Sequence, residues 1–462
     1  MSVHRKRYIF FVVFTALLLM SHAESGAAKT FTLNGRVESN GTPLSGYKVS
    51  LQAYFPGDSS EKILGTDTTG SVGTFAIRYQ LPSSLMTPSQ QPILFVRATK
   101  KSSTLAAAAG RAPLSNDVVV NERTTVANGF AFAQFINGKS INGNTYGMIN
   151  AVNMAANMAN PATGGLGSVL ELPPNGPDTT ALATFNSLAN MVASCAVPGG
   201  AGGGCKDLLN ATTPPGGASP HDVLQAVANI AKFPWLNTAE LYSLSLIRQT
   251  YSPSRTLPPD SWGLFLKFTG THSSAQTSHD LMNGPGNFAI DERGFLWVND
   301  NFVPQSPSNV ACAGLNLLKF YPWGEKFPGS PYYGGGLEGA GFGITLAPNH
   351  HIWIGNFGFE APECTPPGNP FGVPAPHNSV SEFLPNGVAI SPNVTGYRAG
   401  NIFWPQATVS DLNGNIWLAN CGNNSVTIYP KGNPRKAINA SDIGLVKPFG
   451  LAIDGKGNGW VT

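Results

Sequence analysis

Thr408-Val409-Ser410-Asp411-Leu412-Asn413-Gly414-Asn415-Ile416-Trp417-Leu418-Ala419-Asn420 is the stretch on which the reading of the chain turns. A β-type segment ends at an aspartate, a glycine-bearing tight turn follows, and a second apolar segment carries a tryptophan. Ser425-Val426-Thr427-Ile428-Tyr429-Pro430-Lys431-Gly432 then reads as a third strand closed by another turn. The same order recurs around it. Phe288-Ala289-Ile290-Asp291 precedes Phe295-Leu296-Trp297-Val298, Ile344-Thr345-Leu346-Ala347 precedes Ile352-Trp353-Ile354, and Leu451-Ala452-Ile453-Asp454 precedes Gly459-Trp460-Val461. Third strands with their closing turns follow the first two of these, from Leu317 to Gly324 and from Ser379 to Gly387.

A single four-stranded sheet cannot bury both of its faces, so repeated sheets must cover one another around a shared axis, which is the logic of a β-propeller. A flat indole on each second strand fills the gap between neighbours. The interval from Trp417 to Trp460 has the usual blade length of roughly 40 to 45 residues, and the longer intervals upstream are a blade plus loop insertions. Asp291, Asp411 and Asp454, each opening a glycine-bearing turn, read as turn formers rather than calcium ligands. From Gly284 to Thr462 there is room for about four blades, fewer than a closed ring commonly has. The chain stops inside a second strand. The expected fold is therefore mainly β: a partial, truncated propeller preceded by a small β-sandwich and a helical insert, with Leu264-Phe265-Leu266-Lys267-Phe268 as an outer strand available to seal the ring.

Asn415-Ile416-Trp417-Leu418-Ala419-Asn420 and Pro448-Phe449-Gly450-Leu451-Ala452-Ile453-Asp454 resemble the NHL-type and streptogramin-lyase-type propeller repeats. That resemblance implies the fold over 262–462. Members of those families include lyases, lactone hydrolases with a bound metal, and propellers that only bind partners, so it implies no single activity.

Upstream, residues 30–100 read as short strands punctuated by turns: Phe31 to Val37, Tyr47 to Tyr54, Gly73 to Tyr79 and Pro92 to Ala98. Gly35-Arg36-Val37, Gly41-Thr42-Pro43-Leu44-Ser45-Gly46, Leu64-Gly65-Thr66 and Gly73-Thr74-Phe75-Ala76-Ile77 resemble the carboxypeptidase regulatory-like, transthyretin-like domain of secreted proteins, which implies an adhesive or spacing module. Residues 101–260 turn helical. Leu182, Phe185, Leu188, Ala189 and Val192 form one stripe, and Ser219-Pro220-His221-Asp222 opens a helix carrying Val223, Leu224, Val227, Ile230 and Ala231 on one face. His221, in that first turn, reads as solvated rather than catalytic.

The extreme N-terminus sets the expected compartment. Arg5-Lys6-Arg7 leads into the apolar run Ile9 to Met20 and then Ser21-His22-Ala23, a secretory signal peptide over 1–23 with cleavage after Ala23. The localisation expected is secreted or periplasmic, with no membrane span after cleavage. The chain holds 28 Lys+Arg and 25 Asp+Glu. Loss of Arg5, Lys6 and Arg7 leaves the mature protein formally neutral. With 11% charged residues and no basic cluster, a nucleic-acid or anionic-membrane partner has no electrostatic basis. In an oxidising compartment the cysteines should pair. Cys195 and Cys205 flank a glycine-rich loop able to close a small ring and are the expected disulfide. Cys312, Cys364 and Cys421 each fall between the second and third strands of a blade, on loops that emerge on one rim, and one disulfide is expected to join neighbouring loops.

That rim, rich in Pro, Gly, Asn and aromatic residues, is the expected working face. The candidate ligand-binding residues are Asn299, Asn301, Asn356, Phe357, Glu360, Asn420 and Asn423, against the plainer reading of polar residues that end strands. No Gly-x-Ser-x-Gly elbow, phosphate-cradling glycine loop, His-Glu-x-x-His or dinucleotide fingerprint occurs, and no metal or other cofactor is expected. His350-His351 reads as a surface turn, because neighbouring side chains of an extended segment point to opposite sides. The function expected is a secreted binding scaffold for an unknown extracellular ligand or protein. The alternatives are a metal-dependent enzyme of the streptogramin-lyase or lactonase kind, marked by a carboxylate and histidine in the central channel, and a structural cell-surface protein.

Overall fold

The computed structural model describes residues 28–462 except 57, 59–60, 88–90, 102, 115–116, 177, 197–203, 270–283, 306–309 and 359–377. The signal peptide expected over 1–23 lies outside the described residues, as do Glu360 and Cys364.

Thr74–Pro82 alternates exposed and buried side chains along its whole length, the mark of a strand with one wet face. It pairs with Ala28–Ser39, which turns at Asn40-Gly41 into Thr42–Pro43 and also takes Val118–Val120 in parallel. A second sheet runs in the order Lys62–Thr68, Lys48–Tyr54, Ile93–Lys100, Ser103–Arg111. The β-structure thus continues past residue 100, where the sequence suggested a helical region. Ser103–Arg111, with its run of four alanines, is covered on both faces and so lacks the alternation of a half-buried strand. Its small side chains let helix Glu122–Ala131 approach closely. Thr125 Oγ1 accepts from the Ala106 N–H at 2.9 Å and donates to the Ala106 carbonyl at 3.4 Å, satisfying backbone groups that a sheet edge leaves open.

Among the described residues there are seven α-helices: Glu122–Ala131, Thr145–Met158, Ser168–Glu171, Ala181–Ala196, Gly204–Ala211, Val223–Lys232 and Thr238–Ile247. They share one hydrophobic core with the two sheets, from Leu33 through Phe185 to Trp262, so the helices are packed on the sheets rather than set apart as an insert. Glu122 is buried where helix and sheet meet, accepting from Ser39 Oγ and, at 2.6 Å, from the Tyr251 hydroxyl. Burial raises its carboxyl above the ordinary range. Helix Val223–Lys232 begins later than Ser219-Pro220 suggested, because the Asp222 side chain caps it by accepting from the Gln225 N–H at 2.9 Å. His221 just before it is exposed.

Two expectations fail in this half. Leu264–Phe268 forms no strand. Asn175 clasps the Lys267 backbone, accepting from its N–H at 2.6 Å and donating to its carbonyl at 2.8 Å, while buried Trp262 ties the segment to the helical core. Cys195 and Cys205 approach to 2.6 Å, longer than the roughly 2.04 Å of a sulfur–sulfur bond, so no disulfide joins them. Helix Ala181–Ala196 and helix Gly204–Ala211 bring the pair together as the sequence suggested, without the covalent link. The hydrogen bond to Cys205, with burial, raises the Cys195 thiol.

From residue 285 onward the sheets repeat. The first holds Pro285–Ile290, Leu296–Asp300 and Leu317–Phe320; the second Ala340–Leu346, Ile352–Asn356 and Ser379–Phe383. The third holds Pro405–Ser410, Ile416–Asn420, Ser425–Tyr429 and Ile438–Ala440; the fourth Leu451–Ile453 and Gly459–Val461. All pairings within them are antiparallel, and the first strands of successive sheets lie beside one another, which makes a propeller-like array. A further hairpin, Phe302–Gln305 with Val310–Ala313, occupies the lengthened loop of the first sheet.

The tryptophans report how the sheets cover one another. Trp297 is 1% exposed against Ile344, Ile352 and Phe383 of the second sheet, and Trp353 is 1% exposed against Ile416, Leu418 and Tyr429 of the third. Trp417 meets only the two-stranded fourth sheet and is half-buried; Trp460, with no described sheet beyond it, is 65% exposed. An indole is thus buried to the extent that a described sheet follows its own.

The turn between first and second strands is built the same way in three sheets. Asp291, Asp411 and Asp454 each accept two backbone N–H bonds through Oδ1 at 2.9–3.0 Å, and through Oδ2 accept the indole N–H of Trp297, Trp417 and Trp460 at 3.2–3.3 Å. They are turn formers, as the spacing suggested. The second sheet departs from this pattern. Ala347 stands where the aspartate belongs, and Trp353 Nε1 is buried without a partner. His350, at φ 64°, stands where Gly294, Gly414 and Gly457 adopt φ between 78° and 84°.

Candidate functional site

In each of the first three sheets the start of the first strand pairs with the end of the second: Pro285 with Asp300, Ala340 with Asn356, Pro405 with Asn420. The loops after the second strands and the segments leading into the first strands therefore share one rim. The sequence placed its candidates there, and the structure shows what each does.

Asn356 and Asn420 are fully buried and serve as matched braces. Asn356 Nδ2 donates to Ser379 Oγ at 2.9 Å and Ser381 Oγ at 3.0 Å; Asn420 Nδ2 donates to Ser425 Oγ at 3.1 Å and Thr427 Oγ1 at 2.9 Å. Each pins its second strand to the first and third residues of the neighbouring strand. Asn299 accepts from the Asn287 N–H at 2.6 Å and donates to the Gly341 carbonyl at 3.0 Å, locking the first sheet to the second. Asn301 is 5% exposed. Asn423 reaches the Asn401 carbonyl at 2.7 Å through Nδ2. Phe357 alone of the group joins an aromatic cluster. Cys421 is a free thiol, and Cys312 is disulfide-bonded.

The sequence reading missed the rest of that cluster. Phe403 and Trp404 precede the third sheet's first strand; they stack at 5.2 Å and 12°, and Phe357 meets Trp404 at 6.1 Å from the second sheet. Both remain accessible, Phe403 at 39% and Trp404 at 40%. Their backbone is held firmly. Ile402 is buried with Trp353, the Cys421 N–H donates to the Trp404 carbonyl at 3.0 Å, and the Gly422 N–H to the Phe403 carbonyl at 3.1 Å. Trp404 itself sits at φ 48°, a left-handed conformation unfavourable for a bulky side chain and found where surrounding structure over-determines it. Only the Phe-Trp-Pro sequence ahead of a strand signalled it.

The first two strands of the third sheet hold two unpaired acceptors. Gln406 Oε1 and Asn420 Oδ1 are buried without hydrogen-bond partners. Such groups cost about 1–3 kcal/mol each until a donor reaches them. Glu338, at the entry to the second sheet and 7% exposed, is raised to about 7 by burial, an effect that Arg398 partly opposes.

The first strands, which line the inner edge of the array, bring apolar, amide and hydroxyl side chains and no titratable one. Phe288 and Phe342 are exposed there, and Phe342 meets Phe449 at 5.4 Å. His350 and His351 diverge as expected: His350 Nδ1 pairs with Glu292 at 2.6 Å across to the first sheet, His351 Nδ1 with Glu382 at 2.7 Å in its own. Among the described residues no group of three or more His, Cys, Asp or Glu is placed to hold a metal, and no helix is long and apolar enough to cross a membrane.

No protein-family model matches the chain, and no curated protein matches it. Among solved structures, a gluconolactonase from Xanthomonas campestris aligns at 12% identity over 39% of this chain and 54% of its own, with a TM-score of 0.25. A streptogramin B lyase aligns at 15% identity over 39% and 62%, TM-score 0.25. Virginiamycin B lyase from Staphylococcus aureus aligns at 13% identity over 39% and 63%, TM-score 0.25. The chain spans less than two thirds of each, and likeness at this level carries no argument about activity.

Proposed function

We propose that this chain is an exported binding protein whose propeller-like array presents an extracellular ligand or partner on the rim carrying Phe357, Phe403 and Trp404. The observation that carries this reading is Trp404: a large aromatic side chain kept accessible, in a strained backbone conformation, by a loop anchored at Ile402 and bonded on both sides. Natural chains hold such strain where a site needs it. The inner strands add apolar, amide and hydroxyl contact surface to this reading. The asparagines proposed from sequence enter as the frame of this site rather than its contact surface, apart from Asn423 beside it. The N-terminal β-unit is proposed as a spacer.

Two measurements test this. N-terminal sequencing of the exported chain is expected to begin at Glu24. A thermal-shift screen of the full chain against oligosaccharides, peptides and small aromatic compounds is expected to find a class that raises Tm in the wild type and not in Trp404→Asn. Stabilisation that survives that substitution for every hit refutes the site.

A further inference from the structure

We propose that Cys195 and Cys205 form a thiol–disulfide exchange site, separate from the rim, in which Cys205 attacks a low-molecular-weight disulfide of the glutathione kind and Cys195 resolves the product.

Two helices bring the pair together and treat its members unequally. Cys195 stands at the end of helix Ala181–Ala196, among the last carbonyls, and is 7% exposed. Cys205 lies in the first turn of helix Gly204–Ala211 and is half-buried, so it is the sulfur that a reagent reaches first. The N–H groups of a first turn favour a thiolate, and the carbonyls of a last turn disfavour one. A hydrogen bond to Cys205, burial and the charge of Asp207 all raise the Cys195 thiol. Cys205 is therefore the nucleophile, and Cys195 is the protonated partner beside it. An accessible sulfur next to a buried resolving one is the arrangement of a redox-responsive pair.

The Cys205 thiolate attacks one sulfur of the external disulfide, forming a mixed disulfide and releasing one thiolate, which takes up the proton that Cys205 gave to solvent. The Cys195 sulfur then attacks Cys205 Sγ, and the second half of the external disulfide leaves with the Cys195 proton. Two thiols of the chain are oxidised to one disulfide, and one external disulfide is reduced to two thiols. The sulfurs stand 2.6 Å apart, so closing to roughly 2.04 Å asks for no repositioning of either helix.

The test reduces the full folded chain, adds oxidised glutathione, and follows each cysteine by acid quenching and peptide mass mapping. Glutathione is expected on Cys205 first, followed by a Cys195–Cys205 disulfide that reduced glutathione reopens. In Cys195→Ala the mixed disulfide should accumulate on Cys205. In Cys205→Ser, Cys195 should be modified at least about tenfold more slowly than Cys205 is in the wild type. Circular dichroism checks that each variant folds, and the order of modification in the wild type needs no variant. Glutathione appearing first on Cys195 overturns the roles assigned. Two cysteines that stay unmodified in the folded chain, or a disulfide that excess reduced glutathione leaves intact, overturn the exchange site.

Discussion

Ala347→Asp should make this protein more stable, although it places a carboxylate at a position only 6% exposed. The three other turns show what the aspartate does there: two backbone N–H groups and one indole N–H converge on it within 3.3 Å. In the second turn the backbone already has the matching form. The Ala347 N–H donates to the His351 carbonyl at 2.9 Å, as the Asp411 N–H does to the Asn415 carbonyl at 3.0 Å. Pro348 follows, and aspartate before proline suits the first positions of a type I turn. Trp353 Nε1 lacks a partner, a deficit of about 1–3 kcal/mol, and hydrogen bonds to a carboxylate contribute about 1.5–3 kcal/mol. Desolvating the carboxylate offsets part of this. At Asp411, equally buried, hydrogen bonds outweigh that desolvation and hold the carboxyl below its ordinary range. A net gain of about 1–2 kcal/mol is expected at pH 7. Because the folded state would favour the ionised form, the gain should be present at neutral pH and shrink as pH falls below about 4. Urea unfolding followed by tryptophan fluorescence at pH 7 and pH 3 measures it. An unchanged or lowered midpoint at pH 7 would refute the equivalence of Ala347 with the turn aspartates.

Three further outcomes follow from the same geometry. His350→Gly restores the residue used at the equivalent positive-φ positions and should raise stability by up to about 1 kcal/mol, the exposed pair with Glu292 being worth less than the relieved strain; a lowered unfolding midpoint counts against it. Lys319 Nζ lies 4.3–4.7 Å from the ring centres of Trp297, Phe295 and Phe327 and reaches the Pro385 carbonyl, so Lys319→Met, which keeps its length, should cost about 1–2 kcal/mol by chemical denaturation. Glu338, raised to about 7, binds its proton more tightly folded than unfolded; stability should therefore be highest near pH 4.5 and decline as pH rises through 7, by at most about 3 kcal/mol. Glu338→Gln should flatten that slope in thermal melts across the range, and an unchanged slope would assign it to other groups.

What the sequence disclosed followed from repeated burial. An indole six residues after an aspartate, with glycine three residues before the indole, is a local signal, and it located the turn and second strand of the first, third and fourth sheets; in the second, the apolar strand around Trp353 carried the reading alone. The half-buried strands near the N-terminus were equally plain, since Thr74–Pro82 alternates without interruption. Ser103–Arg111 escaped because a strand covered on both sides carries no alternation, and alanines in a row suggest a helix. Leu264–Phe268 misled for the opposite reason: its short apolar run reads as a strand, but Asn175 holds its backbone. The rim asparagines were legible from sequence, but not the bonds they make. Their partners, Ser379 with Ser381 and Ser425 with Thr427, lie on the next strand, and only the pairing register shows the amides turned inward. Phe403 and Trp404 sit in a loop whose left-handed backbone follows no period, so nothing short of coordinates joins them to Phe357.

Hydroxyl-radical footprinting of the intact chain, read tryptophan by tryptophan, tests the stacking of the sheets most directly. Trp460 should oxidise fastest, Trp417 more slowly, and Trp297 and Trp353 slowest, in the order of their exposure. Oxidation of Trp297 or Trp353 as fast as that of Trp460 would show that successive sheets do not cover one another.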